Sequence, residues 1–339
     1  MRLAIIGTGN IVGEALYAME PLTEIEKNAI YARPKSVGKG QELAKKYGIK
    51  EVYTDYQELL EHADIDTVYI GLINSVHYEY AKQALMAEKN VIVEKPFSGT
   101  YEEASELARI AREKRLFLFE AITILHNDLL IEMKKSLPKL GQIRMMLANY
   151  SQYSRRYDGY LKGDIHPSFT PVAFGGALFD INVYNIHYAV ALFGAPKATA
   201  YYPNLGFNGI DTSGTLIMNY DGFSVVCTGA KDSDSACFLS VQGEKGSMKF
   251  DGKPNSASSF QMTSVNEADT SLVRDASGAM VRSMITSEYQ SPKKHHRMTQ
   301  EFQDFARMID QGDIEKANRY LEESLTVMKI LDDNAVWNR

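Results

Sequence analysis

Cysteine and long apolar runs are scarce in this chain of 339 residues. Its two cysteines, Cys227 and Cys237, exclude a disulfide framework and are typical of a protein from a reducing compartment. No segment approaches the run of about 20 apolar residues that crosses a membrane, and the N-terminus lacks the basic, apolar pattern of a secretory signal. We therefore expect a cytoplasmic protein that does not enter a membrane.

An excess of basic residues is also absent. The chain carries 37 Lys and Arg against 43 Asp and Glu, a formal net charge of −6, which weighs against nucleic acid or an anionic membrane as the main partner. The one dense basic run, Lys293 to Arg297, has no interleaved aromatic residues or cysteines and is typical of a solvated loop. No zinc-ligand spacing, Walker loop or Ser-His-Asp arrangement occurs. We expect a small-molecule substrate and no metal.

The first 120 residues alternate short apolar strands with segments of helical length. The predicted strands are Arg2–Ile6, Asn28–Ala32, Thr67–Ile70, Asn90–Val93 and Leu116–Phe119. The amphipathic segments between them predict helices, of which the first runs from Ile11 to Met19. Because strands that alternate with helices form parallel, doubly wound sheets, we predict an α/β domain.

The pattern changes after residue 140. A long strand, Gln142–Gln152, and a mostly β region from Lys197 to Met262 predict a second sheet. Strand pairs joined at Asp221-Gly222 and Lys245-Gly246 indicate antiparallel hairpins. We therefore predict an α+β domain with a large open, mostly antiparallel sheet. Because such a sheet needs its second face covered, we expect a homodimer or homotetramer.

The first predicted strand ends in a glycine-rich turn that leads directly into the first helix. The turn reads Gly7-Thr8-Gly9-Asn10-Ile11-Val12-Gly13. Its first glycine permits a tight turn, its second lets the backbone approach a pyrophosphate, and the helix N-terminus near Asn10 offers free N–H groups to that phosphate. This context predicts a dinucleotide-binding Rossmann domain. Val12 departs from the pattern, because a small residue is usual at its position.

The segment after the second strand bears on the choice of dinucleotide. It reads Tyr31-Ala32-Arg33-Pro34-Lys35-Ser36 and lacks the acidic residue that usually binds the ribose 2′-hydroxyl of NAD. We expect Arg33 to lie flat on the adenine and, with Lys35 and Ser36, to grip a 2′-phosphate. The sequence therefore favours NADP and leaves NAD open.

Three further motifs occur in order along the chain. They are Asn74-Ser75-Val76-His77, Glu94-Lys95-Pro96, and Gly175-Gly176-Ala177-Leu178-Phe179-Asp180-Ile181-Asn182-Val183-Tyr184. With these motifs, essentially the whole chain resembles the Gfo/Idh/MocA family of oxidoreductases. The resemblance implies that Lys95 contacts the substrate oxygen and the nicotinamide, and that the Lys95–Pro96 peptide bond is cis. It also implies that Asn74 and His77 lie on the nicotinamide side.

The same resemblance completes the expected site. Leu72 and Glu94 join the expected cofactor-binding residues, and Asp180 and Tyr184 match the acid and the proton carrier of the family's active-site helix. Tyrosine at position 184 is closer to the dihydrodiol dehydrogenase and sugar oxidoreductase branches than to inositol dehydrogenase, where histidine is usual. Besides Val12, two residues depart from the family pattern. Asn182 replaces a usual glycine, and Leu125 stands where many relatives carry an arginine.

The spacing of three polar residues suggests how a hydride transfer is assisted. Asp180, Tyr184 and His187 stand at i, i+4 and i+7, so one helix face is predicted to present all three. Oxidation of an alcohol needs a group that takes the hydroxyl proton and a positive donor at the developing alkoxide. We expect Tyr184 to be the acid/base and the Lys95 ammonium to lower its pKa. Asp180 and His187 are expected to orient them and to contact substrate hydroxyls.

These expectations give a domain plan and a function. Residues 1–120 are predicted to bind NAD(P), residues 121–312 to bind substrate and oligomerise, and residues 313–339 to form a helix that packs back on the first domain. The predicted activity is hydride transfer between nicotinamide and a small polyhydroxylated or carbonyl substrate, such as a sugar, a sugar derivative or a diol. The alternative is a non-catalytic nucleotide-binding regulator on the same scaffold. The role of the Arg155-Arg156 loop, in substrate contact or in solvent, stays open.

Overall fold

A parallel sheet occupies the first third of the chain in the computed structural model, which describes residues 1–269 and 271–338. Its strands are β1 (Arg2–Ile6), β2 (Glu26–Tyr31), β3 (Glu51–Tyr53), β4 (Thr67–Ile70), β5 (Asn90–Glu94) and β6 (Leu118–Ala121). The spatial order is β3-β2-β1-β4-β5-β6, and each neighbouring pair is parallel. The predicted α/β class is confirmed, although β3 was not predicted and β6 begins two residues later than expected.

Helices cover both faces of this sheet. They are α1 (Asn10–Ala18), α2 (Val37–Tyr47), α3 (Tyr56–His62), α4 (His77–Met86) and α5 (Tyr101–Lys114). Local sequence explains two of the starts: the Asp55 carboxylate caps α3 by accepting from Glu58 N, and Thr100 and Glu103 form a reciprocal capping box at α5. Alternate residues of β1 enter different cores, since Leu3 and Ile5 pack on one face of the sheet and Ala4 and Ile6 on the other.

The second half of the chain builds a mixed, mostly antiparallel sheet of eight strands. Its strands are β7 (Ile143–Ser151), β8 (Ala198–Leu205), β9 (Asp211–Tyr220), β10 (Phe223–Ala230), β11 (Phe238–Gly243), β12 (Gly246–Asp251), β13 (Ser259–Val265) and β16 (Met284–Gln290). Two short strands, β14 (Leu272–Arg274) and β15 (Met280–Arg282), form a separate hairpin. The large sheet has the order β16-β13-β12-β11-β7-β10-β9-β8, and β7 and β10 run parallel at its centre. The predicted open sheet is confirmed, and it extends past the predicted end at Met262.

The two predicted hairpins can be compared with the strand register. Tyr220 pairs with Phe223 across Asp221-Gly222, as expected. In the second hairpin Gly243 pairs with Gly246, so the turn residues are Glu244 and Lys245 and Gly246 already belongs to the strand. That shift moves the predicted turn by one residue.

The remaining helices join the two sheets. They are α6 (Asp128–Ser136), α7 (Tyr157–Leu161), α8 (Val183–Phe193), α9 (Thr299–Gln311) and α10 (Ile314–Asp333). A π-helical turn, Leu178–Asn182, leads into α8. Short 3-10 turns lie at Pro34–Ser36, Asn74–Val76, Thr123–His126, Leu137–Leu140, Pro167–Phe169, Pro171–Ala173, Pro254–Ser256 and Val336–Asn338. Helix α9 buries Phe302 and Phe305 in the core of the first sheet, and α10 packs on α5, β6 and α8. Within the described residues, no helix has the length and apolarity to span a membrane.

Candidate active site

A cleft of about 1050 Å³ opens where the carboxyl ends of β1, β4 and β5 face the second sheet. This is the edge of an open α/β sheet at which ligands bind. The residues that line it are Gly7, Thr8, Gly9, Asn10, Ile11, Glu14, Tyr31, Arg33, Ser36, Lys39, Gly71, Leu72, Ile73, Lys95, Tyr150, Gln152, Tyr153, Ser154, Arg155, Arg156, His166, Ser168, Asp180, Ile181, Tyr184, Lys231 and Asn255. Lysine and arginine outnumber carboxylates in this lining, although the whole chain is acidic. The cleft therefore favours an anionic ligand.

The glycine-rich turn lies at one wall of the cleft. Gly7 has φ of +119°, and a Cβ there would stand 2.7 Å from the Gly71 carbonyl oxygen, so only glycine fits. Gly9 is the residue that precedes α1, and no side chain caps its N-terminus. The first N–H groups of α1 thus remain available for a phosphate at the cleft.

The Val12 departure has a structural explanation. Val12 is fully buried, and its Cγ2 atom would stand 2.7 Å from a Cβ on Gly71. A small residue at position 12 usually leaves room for the helix to pack on the strands. Here Gly71, the glycine after β4, provides that room instead. The turn keeps its close packing between helix and strand despite the valine.

The adenosine end of the cleft is built from the segment after β2. Arg33 and Ser36 line it, and Ser36 Oγ donates to the Arg33 carbonyl oxygen at 3.1 Å. Lys39, which was not predicted, lines it as well. Lys35 is exposed and is not part of the lining. Lys39 follows Lys35 by four residues and lies in the first turn of α2. Its nearness in sequence to Arg33 and Ser36 could have indicated a second cation at this end of the cleft.

Lys95 lies at the centre of the second group of predicted residues. Its Nζ donates to the Asp180 carbonyl oxygen and to Asp180 Oδ1, each at 2.9 Å, and lies 5.3 Å from the centre of the Tyr184 ring. The predicted cis bond between Lys95 and Pro96 is confirmed. The structure therefore brings Lys95, Asp180 and Tyr184 together, as predicted.

Lys231 joins this group and was not predicted. It follows β10, and its Nζ lies 2.8 Å from Asp180 Oδ2 and donates to the Ser168 carbonyl oxygen at 2.5 Å. Local sequence did not indicate its neighbours, because they depend on the packing of the π-helical turn and of the segment at Ser168 against the end of β10.

The two ammonium groups fix the charge of Asp180. Burial disfavours the carboxylate, but the charges of Lys231 and Lys95 outweigh burial and hold the pKa of Asp180 well below its usual range. Burial likewise opposes the charged form of Lys95, yet Tyr184 and Asp180 raise its pKa above the usual value. At neutral pH the group is an anion held between two cations.

The pKa of Tyr184 differs from the expectation. Burial raises the pKa of its hydroxyl above the usual value, and the opposing charges of Lys95 and Arg297 do not reverse the shift. The Lys95 charge does lower the pKa of Tyr184, as expected, but the expected net lowering is wrong, because desolvation of the phenolate is the larger effect. Tyr184 is protonated at neutral pH and can act as a proton donor.

His187 is not brought to the cleft. Its side chain is fully buried, and its Nε2 lies 3.3 Å from Glu120 Oε2 on β6. The predicted common face assumed an unbroken α-helix, whereas the π-helical turn at Leu178–Asn182 changes the rotation per residue before α8. Asp180 and Tyr184 still line the cleft, and His187 turns toward the first sheet.

Three of the predicted cofactor residues support the cleft from behind its lining. His77 is buried and bridges two segments, with Nδ1 3.0 Å from the Pro96 carbonyl oxygen and Nε2 3.2 Å from the Leu72 carbonyl oxygen. Glu94 is buried and accepts from Tyr69 Oη at 2.7 Å. Asn74 donates to the Phe174 carbonyl oxygen at 2.9 Å. Leu72 lies in the lining itself.

The Asn182 departure is also accommodated by a glycine on a facing strand. Asn182 donates to the Cys227 carbonyl oxygen at 2.9 Å, which fastens the π-helical turn to β10. A Cβ on Gly229 would stand 2.8 Å from Asn182 Cβ. Leu125 is buried in the main core. Arg155 and Arg156 are exposed at the rim of the cleft, where both contribute to its lining.

Comparison with known proteins places the chain among oxidoreductases. The sequence profile GFO_IDH_MocA, an oxidoreductase family with an NAD-binding Rossmann fold, matches residues 1–121. The scyllo-inositol 2-dehydrogenase (NADP(+)) IolU of Bacillus subtilis is 31% identical over 333 residues, 98% of this chain and 95% of that protein. The oxidoreductase YgjR of Escherichia coli is 34% identical over 248 residues, 73% of this chain and 75% of that protein.

A solved structure is similar in fold over nearly the whole chain. It is KijD10, a 3-ketoreductase from Actinomadura kijaniata in complex with NADP and TDP-benzene. It aligns with a TM-score of 0.81 at 22% identity and covers 98% of this chain and 96% of that one. At this level of identity the likeness shows the fold.

Proposed function

The chain belongs to the Gfo/Idh/MocA family of NAD(P)-dependent oxidoreductases, and from this premise we propose that it interconverts an alcohol and a carbonyl group on a small polyhydroxylated substrate with NADP. The observation that carries the proposal is the contact of Lys95, Asp180 and Tyr184 at the mouth of a dinucleotide cleft. The relative IolU, by its name an NADP-dependent scyllo-inositol dehydrogenase, supports both the cofactor and the polyol class.

The residues of the cleft fit a dinucleotide. Gly7 and Gly71 keep the turn close against β4 and α1, because a Cβ on either would stand 2.7 Å from a protein atom. The N-terminus of α1, which no side chain caps, lies in the same lining. The segment after β2 has no carboxylate for a ribose 2′-hydroxyl, and Arg33, Ser36 and Lys39 line that end instead. Guanidinium, ammonium and hydroxyl groups suit a 2′-phosphate, which supports NADP over NAD.

The chemistry divides between the cofactor and the chain. When bound, the nicotinamide accepts or supplies the hydride. In the direction of carbonyl reduction, Tyr184 donates its hydroxyl proton to the substrate oxygen, and Lys95 stabilises negative charge on that oxygen. In the direction of oxidation, the phenolate of Tyr184 takes the proton of the substrate hydroxyl. Asp180 positions Lys95 through the two hydrogen bonds at 2.9 Å.

The same premise argues against a regulator without turnover. A nucleotide-binding regulator does not need a buried lysine held on a carboxylate beside a tyrosine, yet Lys95, Asp180 and Tyr184 occur together here. The relatives are named as dehydrogenases and reductases. Catalysis is therefore the function that the site supports best.

Two further properties belong to the proposal. The thiols of Cys227 and Cys237 are free, which supports work in the reducing cytoplasm. The face of the large sheet that carries Tyr202, Thr215 and Phe238 supports a homodimer or homotetramer, since a large sheet needs both faces covered. Light scattering is expected to give two or four times 38.0 kDa, and a mass of one chain contradicts the assembly.

A binding titration and a substrate panel test the function together. NADPH fluorescence measures cofactor binding, and nicotinamide absorbance measures turnover of cyclitols, aldoses, diols and the matching ketones with each cofactor. We expect binding and turnover with NADP, including turnover of at least one cyclic polyol. Binding without turnover across the panel supports the regulator, and failure to bind either NADPH or NADH contradicts both functions.

A further inference from the structure

Lys231 is a buried cation in the candidate active site, and the proposed reaction leaves it without a role. Its side chain is 4% exposed, yet it lines the cleft. It contacts Asp180 Oδ2 at 2.8 Å and the Ser168 carbonyl oxygen at 2.5 Å. Burying an ammonium group is costly unless it is paired, so its position on the carboxylate that also holds Lys95 calls for an explanation.

The hydrogen bonds of the two lysines leave donors to spare. A protonated lysine has three N–H donors. Lys95 uses two on the carbonyl oxygen and Oδ1 of Asp180, and Lys231 uses two on Ser168 and Asp180. The Phe169 ring, 4.2 Å from Lys231 Nζ, steadies the ammonium without a directional hydrogen bond. Each lysine therefore has one N–H donor that these contacts do not use, and both side chains line the cleft.

Asp180 determines how these two donors are related. It binds one ammonium on each of its two carboxylate oxygens, which holds the lysines side by side. Two adjacent donors match two oxygens on neighbouring carbons of one ligand. Resting on the proposed function, we propose that Lys231 determines specificity by binding a hydroxyl on the carbon next to the reacting carbon, while Lys95 binds the reacting oxygen.

The surroundings of Lys231 favour a hydroxyl over a carboxylate as this second group. The Asp180 side chain is 36% exposed, so its oxygens can also accept a hydrogen bond from the ligand. A hydroxyl accepts from Lys231 and donates to Asp180, whereas a carboxylate cannot donate and brings a second negative charge toward Asp180. Lys231 is therefore the residue that distinguishes a substrate with a hydroxyl on the neighbouring carbon from one without it.

A matched pair of substrates tests this assignment. The probes are 2-hydroxycyclohexanone and cyclohexanone, which differ by the neighbouring hydroxyl, each reduced with NADPH. For the wild type, we expect kcat/KM to be about 10- to 100-fold higher for the hydroxyketone, the range of a hydrogen bond to a charged group. In Lys231→Met the ratio of the two kcat/KM values is expected to fall to about 1, because the hydroxyketone loses the contact that distinguishes it from cyclohexanone.

An equilibrium measurement gives a readout besides turnover. NADP+ cannot reduce the ketone, and absorbance of NADPH reports any oxidation of the neighbouring hydroxyl. Isothermal titration of 2-hydroxycyclohexanone into protein with NADP+ therefore measures binding as long as that absorbance does not rise. We expect Lys231→Met to weaken this binding about 10- to 100-fold and to weaken cyclohexanone binding much less. Lys249→Met is the control, because Lys249 lies on β12 of the same sheet and is outside the lining of the cleft.

Each other outcome overturns the assignment. Equal reduction of the two ketones by the wild type, or equal losses for both in Lys231→Met, would show that Lys231 only positions Asp180. Reduction of neither ketone would contradict recognition through the neighbouring hydroxyl. If Lys231→Met does not fold, Lys231→Arg takes its place. The assignment is then supported if the wild type prefers the hydroxyketone at least 10-fold in kcat/KM and Lys231→Arg changes that preference. Absence of turnover across the polyol panel is a different result, because it contradicts the proposed function itself.

Discussion

The Nζ of Lys95 lies 5.3 Å from the centre of the Tyr184 ring, yet the pKa of the Tyr184 hydroxyl is raised. Burial is the main cause, and it outweighs the Lys95 charge. The folded protein therefore holds a neutral phenol beside an ammonium, which is the protonation state that carbonyl reduction uses.

This state predicts a pH dependence for each direction. Oxidation needs the phenolate, whose fraction rises tenfold per pH unit below the pKa, so kcat/KM for oxidation is expected to rise with a slope near 1 up to about pH 10. Reduction uses the neutral phenol and is expected to be flat over the same range. Initial rates in both directions between pH 6 and 10 check this, and a plateau of the oxidation rate below about pH 8 would contradict it.

Arg33 is expected to select the cofactor. Arg33→Asp removes a cation from the adenosine end and adds a repulsive charge, so NADP affinity is expected to fall by about 1.5–3 kcal/mol while NAD changes less. Lys35→Asp is the matched control, because Lys35 is exposed and outside the lining. Fluorescence titration of both variants with NADPH and NADH checks this. Equal losses for the two cofactors in Arg33→Asp would show that Arg33 does not read the phosphate.

The contact between Val12 and Gly71 predicts a reciprocal pair of substitutions. In Gly71→Ala the new Cβ would meet Val12 Cγ2 at 2.7 Å, and such overpacking typically costs about 1–3 kcal/mol of unfolding free energy. Val12→Ala in the same chain makes room, so the double variant is expected to recover much of the loss. Urea unfolding of Gly71→Ala, Val12→Ala and the double variant measures the coupling, and additive losses would show that the two positions are independent.

Asp211 is expected to make stability depend on pH. Its buried carboxylate accepts hydrogen bonds from Leu178 N and Tyr201 Oη, each at 2.7 Å. Burial raises the pKa of Asp211 to about 6, although these hydrogen bonds and the charge of Lys231 act to lower it. An acid whose folded pKa exceeds its unfolded value of about 3.9 stabilises the fold at low pH, and the effect is lost as pH rises through 6.

Asp211→Asn separates this effect from other titrating groups. The amide oxygen can still accept the two hydrogen bonds but does not titrate. Between pH 4 and 8 the wild type is therefore expected to lose about 2–3 kcal/mol of unfolding free energy relative to the variant. Urea unfolding at both pH values measures the difference. The same pH dependence in both proteins would contradict a raised pKa for Asp211.

Much of the fold was predictable because the strands of the first sheet are short, apolar and separated by helical patterns. Motif residues that directly follow strands, such as Gly7 after β1 and Lys95 after β5, were also predictable, because the carboxyl ends of parallel strands lie at one edge of the sheet. Strand β3 has only three residues, none of them fully buried, so it carried no apolar signal.

The missed parts of the site depend on contacts between distant segments. Lys231 meets Asp180 because the π-helical turn packs on β10, and local sequence does not indicate such a contact. His187 was misplaced because a π-helical turn cannot be seen in residue spacing. Val12 and Asn182 departed from the family pattern, and the glycines that accommodate them lie on distant segments, Gly71 after β4 and Gly229 on β10.

The most direct test of the account is the rate of carbonyl reduction in Lys95→Met, Tyr184→Phe and the double variant, measured with NADPH binding in each. Because the two residues act on one oxygen, we predict that Tyr184→Phe loses about 10²–10⁴ in kcat. The double variant should be little slower than the slower single variant, and NADPH should still bind. Near wild-type turnover in Tyr184→Phe, or losses that multiply fully in the double variant, would contradict a catalytic unit of Lys95 and Tyr184.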